Sequence, residues 1–173
     1  SLPRLTPRMN GKIGMSGIVG EETNRICVFV IASSYKMPST MHALIQGSSG
    51  SGKTHLLSSI IELMPPESTM CLTRVTEASL YNYGENELVG KLIGLEDYDG
   101  LEEKAELAFR ELQSRGRLIS STSVKREVEG DHKGGEKRVN GPIASLAATT
   151  RAHVYEDNMS RCFLQLHAGI EAL

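Results

Sequence analysis

Apolar positions fall into blocks with two periods. Leu56, Leu57, Ile60, Ile61 and Met64 recur at helical spacing until Pro65 and Pro66 end the run. Leu101, Ala105, Ala108 and Leu112 repeat that spacing over 101–115 against a charged opposite face, with Gly116 as the stop. Runs too short for helices read as strands at 42–46, 69–73, 91–95, 142–150 and 162–167. Residues 118–124 and 136–139 read as the two strands of a hairpin spanning about 117–141, with 129–135 as its exposed turn. Glu21 and Glu22 suit the first turn of a helix running to about Tyr35, although the Ile, Val and Phe in that stretch also suit a strand. Residues 1–16 carry two prolines, two glycines and no period, and read as a linker or arm. Residues 76–86 are polar and contain Tyr81 and Tyr83, rings that either stack on a base or lie half-buried in a surface loop.

Five short apolar strands alternating with helices predict an α/β domain over 17–173. Its sheet is expected to be mainly parallel, covered on both faces, with ligand at the strand carboxyl ends. Between the first strand and the 53–64 helix stands Gly47-Ser48-Ser49-Gly50-Ser51-Gly52-Lys53-Thr54, a complete G-x-x-x-x-G-K-T phosphate-binding loop. Its glycines let backbone N–H groups turn inward, and the helix that follows adds its positive dipole end. Lys53 supplies a mobile charge for the β- and γ-phosphates, and the Thr54 hydroxyl supplies one ligand to Mg²⁺. Residues 47–54 and the adjoining His55 are the expected nucleotide contacts. After the 91–95 strand come Glu96 and Asp97. Beside a phosphate loop such a pair has two tasks: Glu96 takes the position that anchors the metal, and Asp97 the one that orients or deprotonates the attacking water. An acidic turn after a core strand is the other reading.

Composition narrows the partners. With 19 Lys and Arg against 21 Asp and Glu the net charge is −2, so bulk electrostatics does not mark a nucleic-acid binder and any DNA contact must come from a local element. The hairpin is the candidate: Arg117, Lys125, Arg126, Lys133, Lys137 and Arg138 are partly offset by Glu127, Glu129, Asp131 and Glu136. Charge alone leaves it balanced between a DNA contact and a solvated edge. Cys27, Cys71 and Cys162 are odd in number, widely spaced and in apolar surroundings, which fits buried thiols in a reducing compartment rather than disulfides or zinc ligands. The longest apolar run, 26–32, is too short to span a bilayer, and a cytoplasmic protein without a membrane partner is expected. Both ends read as cut from a longer protein.

With these motifs in order, the sequence resembles the AAA+ ATPases over about 18–166, and within them the branch of the mini-chromosome-maintenance helicases. Ile18-Val19-Gly20-Glu21-Glu22 is similar to the family's adenine-packing loop before an apolar helix, which favours a helix there and places Ile18 and Val19 on the base. Leu95-Glu96-Asp97-Tyr98-Asp99 is similar to the helicases' apolar-Asp-Glu-Phe-Asp segment with its first two acids exchanged, an exchange that leaves room for slow hydrolysis. The 117–141 hairpin, preceded by Glu111-Leu-Gln-Ser, resembles the one those helicases insert before their sensor strand and point at DNA. That likeness implies DNA contacts at Lys125, Arg126, Lys133, Lys137 and Arg138. Thr149 falls where the family places its γ-phosphate sensor, and Met159-Ser160-Arg161 is similar to the segment that supplies an arginine finger to a neighbouring subunit.

The segment from Glu21 to Arg161 is more similar still to ATPase regions of bacterial phage and conjugative-element proteins labelled DNA primase or helicase-like. No zinc-binding or polymerising primase motif lies in these residues, and the family's helical lid has no counterpart in them. The resemblance implies a three-layer AAA+ sandwich with a five-stranded sheet and an inserted hairpin. It further implies ATP and Mg²⁺ as cofactors, Lys53, Glu96, Asp97, Thr149 and Arg161 as catalytic residues, a homo-oligomeric ring, expected to be a hexamer, and single-stranded DNA held without sequence preference in replication of a mobile element. A monomeric P-loop kinase and a weakly hydrolysing DNA loader are the alternatives.

Overall fold

The computed structural model describes residues 22–123, 134–151 and 164–167, with side chains described for 24–121 and 136–151. Helices and strands alternate: α1 (Glu22–Ser33), β1 (His42–Gln46), α2 (Lys53–Glu62), β2 (Thr69–Leu72), α3 (Glu77–Tyr81), β3 (Lys91–Leu95), α4 (Glu103–Arg115), β4 (Arg117–Ser123), β5 (Gly134–Asn140), β6 (Ile143–Thr149) and β7 (Leu164–His167). The order in the sheet is β2-β3-β6-β1-β7 and every neighbouring pair is parallel, whereas β4 and β5 form a separate antiparallel ribbon. The 22–33 stretch is helical despite its Ile, Val and Phe. Its Val28, Ile31 and Ala32 recur at helical spacing and are buried, so packing against the sheet settles what propensity left open.

Alternation along the strands sends side chains to two helical layers. Ala43, Ile45, Leu92, Ala144, Leu146 and Ala148 meet α1 and α2 through Val28, Ile31, Leu57, Ile60 and Ile61. Leu44, Ile93, Leu95, Ile143 and Ala147 meet α3 and α4 through Leu80, Ala105, Ala108, Phe109 and Leu112. Burial on both faces is why these strands read as continuous apolar runs. Gly94 brings α2 close to β3, since a Cβ there would stand 2.1 Å from Ile61 Cδ1 and 3.1 Å from Leu57 Cδ2.

Two findings differ from the sequence reading. Residues 76–86 are not wholly loop: the Thr76 hydroxyl accepts the Ser79 N–H and the Ser79 hydroxyl accepts the Thr76 N–H, a reciprocal cap that starts α3. Tyr81 and Tyr83 pack as half-buried rings on the α3 and α4 side of the core. Cys71 is not a buried thiol, because β2 is an edge strand and leaves it exposed; partial burial and the neighbouring Glu96 carboxylate push its pKa up to about 11.

The ribbon is rooted at the amino ends of β3 and β6. Leu118 and Val139 pair across it and are fully buried. At its base, Gly141 N–H donates to Gly116 O and Asn140 N–H to Glu85 O, each at 2.6 Å. Beside that base lies a buried polar knot. His42 Nδ1 is 3.0 Å from Ser145 Oγ, His42 Nε2 is 3.2 Å from Gln113 O, and Gln113 Nε2 donates to Ser145 Oγ at 2.8 Å. It ties the end of α4, from which β4 departs, to β1 and β6.

Burial pushes the His42 pKa from 6.5 down to about 4, against the upward pull of the Gln113 carbonyl. The unfolded chain therefore takes up a proton that the folded chain refuses in this window. Stability is full above about pH 6.5 and declines as pH falls toward 4, by roughly 3 kcal/mol. Urea unfolding from pH 7.5 to 4.5 should show that decline in the native protein and a flatter profile in His42→Gln; parallel profiles would refute it.

Candidate nucleotide site

The phosphate loop leaves the carboxyl end of β1. Gly50 and Gly52 hold φ of 80° and 81°, left-handed values that cost an L side chain strain, and a Cβ at Gly50 would meet nothing within 4 Å. Gly52 caps α2 without a side-chain hydrogen bond, and the first bond of the helix runs from Leu56 N–H to Gly52 O. The N–H groups of Lys53, Thr54 and His55 therefore have no acceptor within the helix. Lys53 is only 7% exposed, and its Nζ donates to Gly47 O at 2.7 Å and Ser48 O at 2.6 Å. A fixed cation, open N–H groups and a helix dipole converge on one curled loop, a donor set that fits a polyphosphate.

A family model described as the MTBMA_p00010 P-loop domain matches residues 15–119, which is more than half of the 173 residues. The chain belongs to that P-loop domain family. The match takes in α1 to α4, β1 to β3 and the loop itself, and stops inside β4. No curated protein matches the sequence. Membership makes this a nucleotide-binding domain of the kind that hydrolyses nucleoside triphosphates.

The carboxylates of this P-loop domain lie where β3 ends. Glu96 N–H continues the ladder to Leu72 O, so alternation puts the Glu96 side chain on the face of Gly94, which is the α2 face and the side of the Thr54 helix. The Cys71 thiol is its neighbour at 3.5 Å. Asp97 is exposed, and its Oδ1 accepts the Gly100 N–H at 3.1 Å. Among the described residues no group of three or more His, Cys, Asp or Glu could hold a metal. Thr54 and Glu96 are the protein groups here that could hold a Mg²⁺, an ion that uses one or two protein ligands and keeps much of its water.

Thr149 is 1% exposed at the carboxyl end of β6, between these two parts. Its carbonyl accepts the Gly47 N–H at 3.2 Å, and its hydroxyl donates to Asp99 Oδ1. The Thr150 N–H and hydroxyl both donate to Asp99 Oδ2 at 2.6 Å, and Arg151 Nη2 donates to Asp99 O at 3.0 Å. Gln46 Nε2 donates to Arg151 O at 2.7 Å. Burial acts to raise the Asp99 pKa, but the hydrogen bonds from Thr149 and Thr150, with the Arg151 charge, outweigh it and hold the carboxyl below the usual carboxylate range.

The sequence reading gave Gln46, Asp99, Thr150 and Arg151 no role. A third acid in 96–99 and a polar cluster closing an apolar strand were visible, but not that residues about 50 apart would meet. Ile18, Val19, Lys125, Arg126, Lys133 and Arg161 lie outside the described residues, as does Cys162. Lys137 and Arg138 sit on the ribbon, away from the loop. Among the described residues no helix is long and apolar enough to cross a membrane.

Removing the Lys53 ammonium takes away the counter-charge for the phosphates and its bonds to Gly47 O and Ser48 O. Lys53→Ala is expected to weaken triphosphate binding at least about tenfold, the cost of one charge-assisted contact. Calorimetric titration with Mg²⁺ present checks this, and unchanged affinity would remove Lys53 from the site.

Proposed function

We propose that this domain is the ATP-hydrolysing motor of an AAA+ type, helicase-like protein that works as a homo-oligomeric ring on DNA. The observation that carries the reading is the path of the chain from α4 through the ribbon into β6. One continuous strand joins the base of the ribbon to Thr149, which is bonded to the phosphate loop. Six residue steps of extended chain span roughly 20 Å. The site and the ribbon base thus stand at opposite ends of one central strand, a layout that can transmit a change at the nucleotide to a nucleic-acid contact.

In this reading Lys53 holds the β- and γ-phosphates, Thr54 and Glu96 hold the metal, and Asp97 orients the attacking water. Bound Mg²⁺ neutralises charge on the phosphate oxygens. Arg161, supplied by a neighbouring subunit, stabilises the charge that spreads over the transferring phosphoryl group. Asp97 is the acid best suited to meet water, because Asp99 has its oxygens occupied.

The ribbon refines the DNA contact. Arg138 pairs with Ile119, and both are exposed on the face opposite the buried Leu118 and Val139. Lys137 shares the Val139 face and donates to Asn82 Oδ1 at 3.1 Å. Arg138, whose partner is the exposed Glu136 carboxylate 3.0 Å away, is the residue presented outward. Exposed pairs of this kind are weak, so a DNA phosphate can displace Glu136.

Arg138→Ala is expected to weaken single-stranded DNA binding and to lower the slope of log affinity against log salt by about 1. Lys137→Ala should lower it less. Fluorescence anisotropy across a salt series reads both, and an unchanged slope in Arg138→Ala would end the ribbon's role.

Specific ATPase activity should rise with protein concentration, rise again with single-stranded DNA and collapse in Arg161→Ala. Activity flat in concentration and indifferent to DNA would instead mark a monomeric phosphotransferase.

A further inference from the structure

The Thr149 hydroxyl, which the family resemblance assigns to the γ-phosphate, already donates its one hydrogen bond elsewhere. Thr149 Oγ1 donates to Asp99 Oδ1 and accepts the Arg151 N–H at 3.1 Å, and the Thr150 hydroxyl donates to Asp99 Oδ2 at 2.6 Å. A hydroxyl has a single proton to give, and a phosphate oxygen can only accept. Neither threonine can donate to a phosphate in this arrangement. Either can still accept from water.

The guanidinium beside them differs. Arg151 Nη2 donates to Asp99 O, and Nε stands 3.5 Å from Asp99 Oδ1, which leaves Nη1 with no partner among the described residues. Its side chain is 50% exposed. Its backbone is held by Gln46, the residue immediately before the phosphate loop. Asp99 keeps its bonds from Thr149 and Thr150 if the guanidinium turns away, so release of Arg151 strands no carboxylate. The Arg151 half of the pair is open to solvent at a separation of 3.5 Å, and a γ-phosphate carries more charge than a carboxylate and offers a planar fork the same geometry of acceptors.

We infer that Arg151 contacts the γ-phosphate from within the same subunit, and that Asp99 is the positioning residue that holds its guanidinium at the mouth of the site. Binding of a triphosphate turns the guanidinium from Asp99 onto the phosphate, and a diphosphate leaves it on Asp99. This rests on the nucleotide site proposed above. It adds a contact in cis, from the residue two past the end of β6, to the trans contact assigned to Arg161.

The test is calorimetric titration of the 173-residue chain with Mg²⁺ and either ADP or a non-hydrolysable ATP analogue. Arg151→Ala should weaken the analogue about tenfold and leave ADP within about twofold, since only the analogue has the third phosphate. Arg151→Lys should fall between, because an ammonium lacks the fork, and it carries the test if the alanine variant does not fold. Asp99→Asn, which removes the charge that the γ-phosphate displaces, should tighten the analogue modestly and leave ADP within about twofold. Equal losses for both nucleotides, or an unchanged analogue, would overturn the inference while leaving the site intact. Failure of the native chain to bind either nucleotide would overturn the site and the inference together.

Discussion

Hydrogen bonding of β6 to β1 on one side and β3 on the other is the constraint on which the site depends. The phosphate loop leaves β1 and the acids leave β3, and neither strand touches the other. The strand between them, with α2 packed on Gly94 of β3, sets their spacing. Its register aligns Thr149 with Gln46 and Ala147 with Leu95, so the three carboxyl ends finish nearly level and their loops share one crevice. Asp99 then sews the acid turn to the end of β6, and Tyr98 N–H adds a backbone bond to Ala148 O at 2.9 Å.

The two ends of the sheet are built with different chemistry. At the carboxyl end, polar groups near solvent face one another in short, rearrangeable contacts. At the amino end, burial of His42 among Ser145 and Gln113 makes a neutral knot that opposes charging. Between them lie the two apolar layers, close-packed against both faces of the sheet.

The ladder places Glu96, and the hydrogen bonds of the turn beyond β3 place Asp97 and Asp99. Glu96 lies on the α2 face with the loop helix, Asp97 is open to water, and Asp99 is spent on the end of β6.

Much was legible in the sequence because it is local. The loop glycines, Lys53 and Thr54 act through backbone geometry and helix position within eight residues, and the strands announced themselves because burial on both faces requires unbroken apolar runs. The helix at 22–33 and the short α3 were less plain: the first needed the sheet to choose between two propensities, and the second rested on a Thr76 and Ser79 cap in an otherwise polar stretch. Strand order, the partnership of Asp99 with Thr149 and Thr150, the placement of Arg151 beside Gln46, and the faces of Lys137 and Arg138 were decided by tertiary structure alone. Each depends on contacts between residues far apart in the chain, and no local period encodes which strand lies next to which.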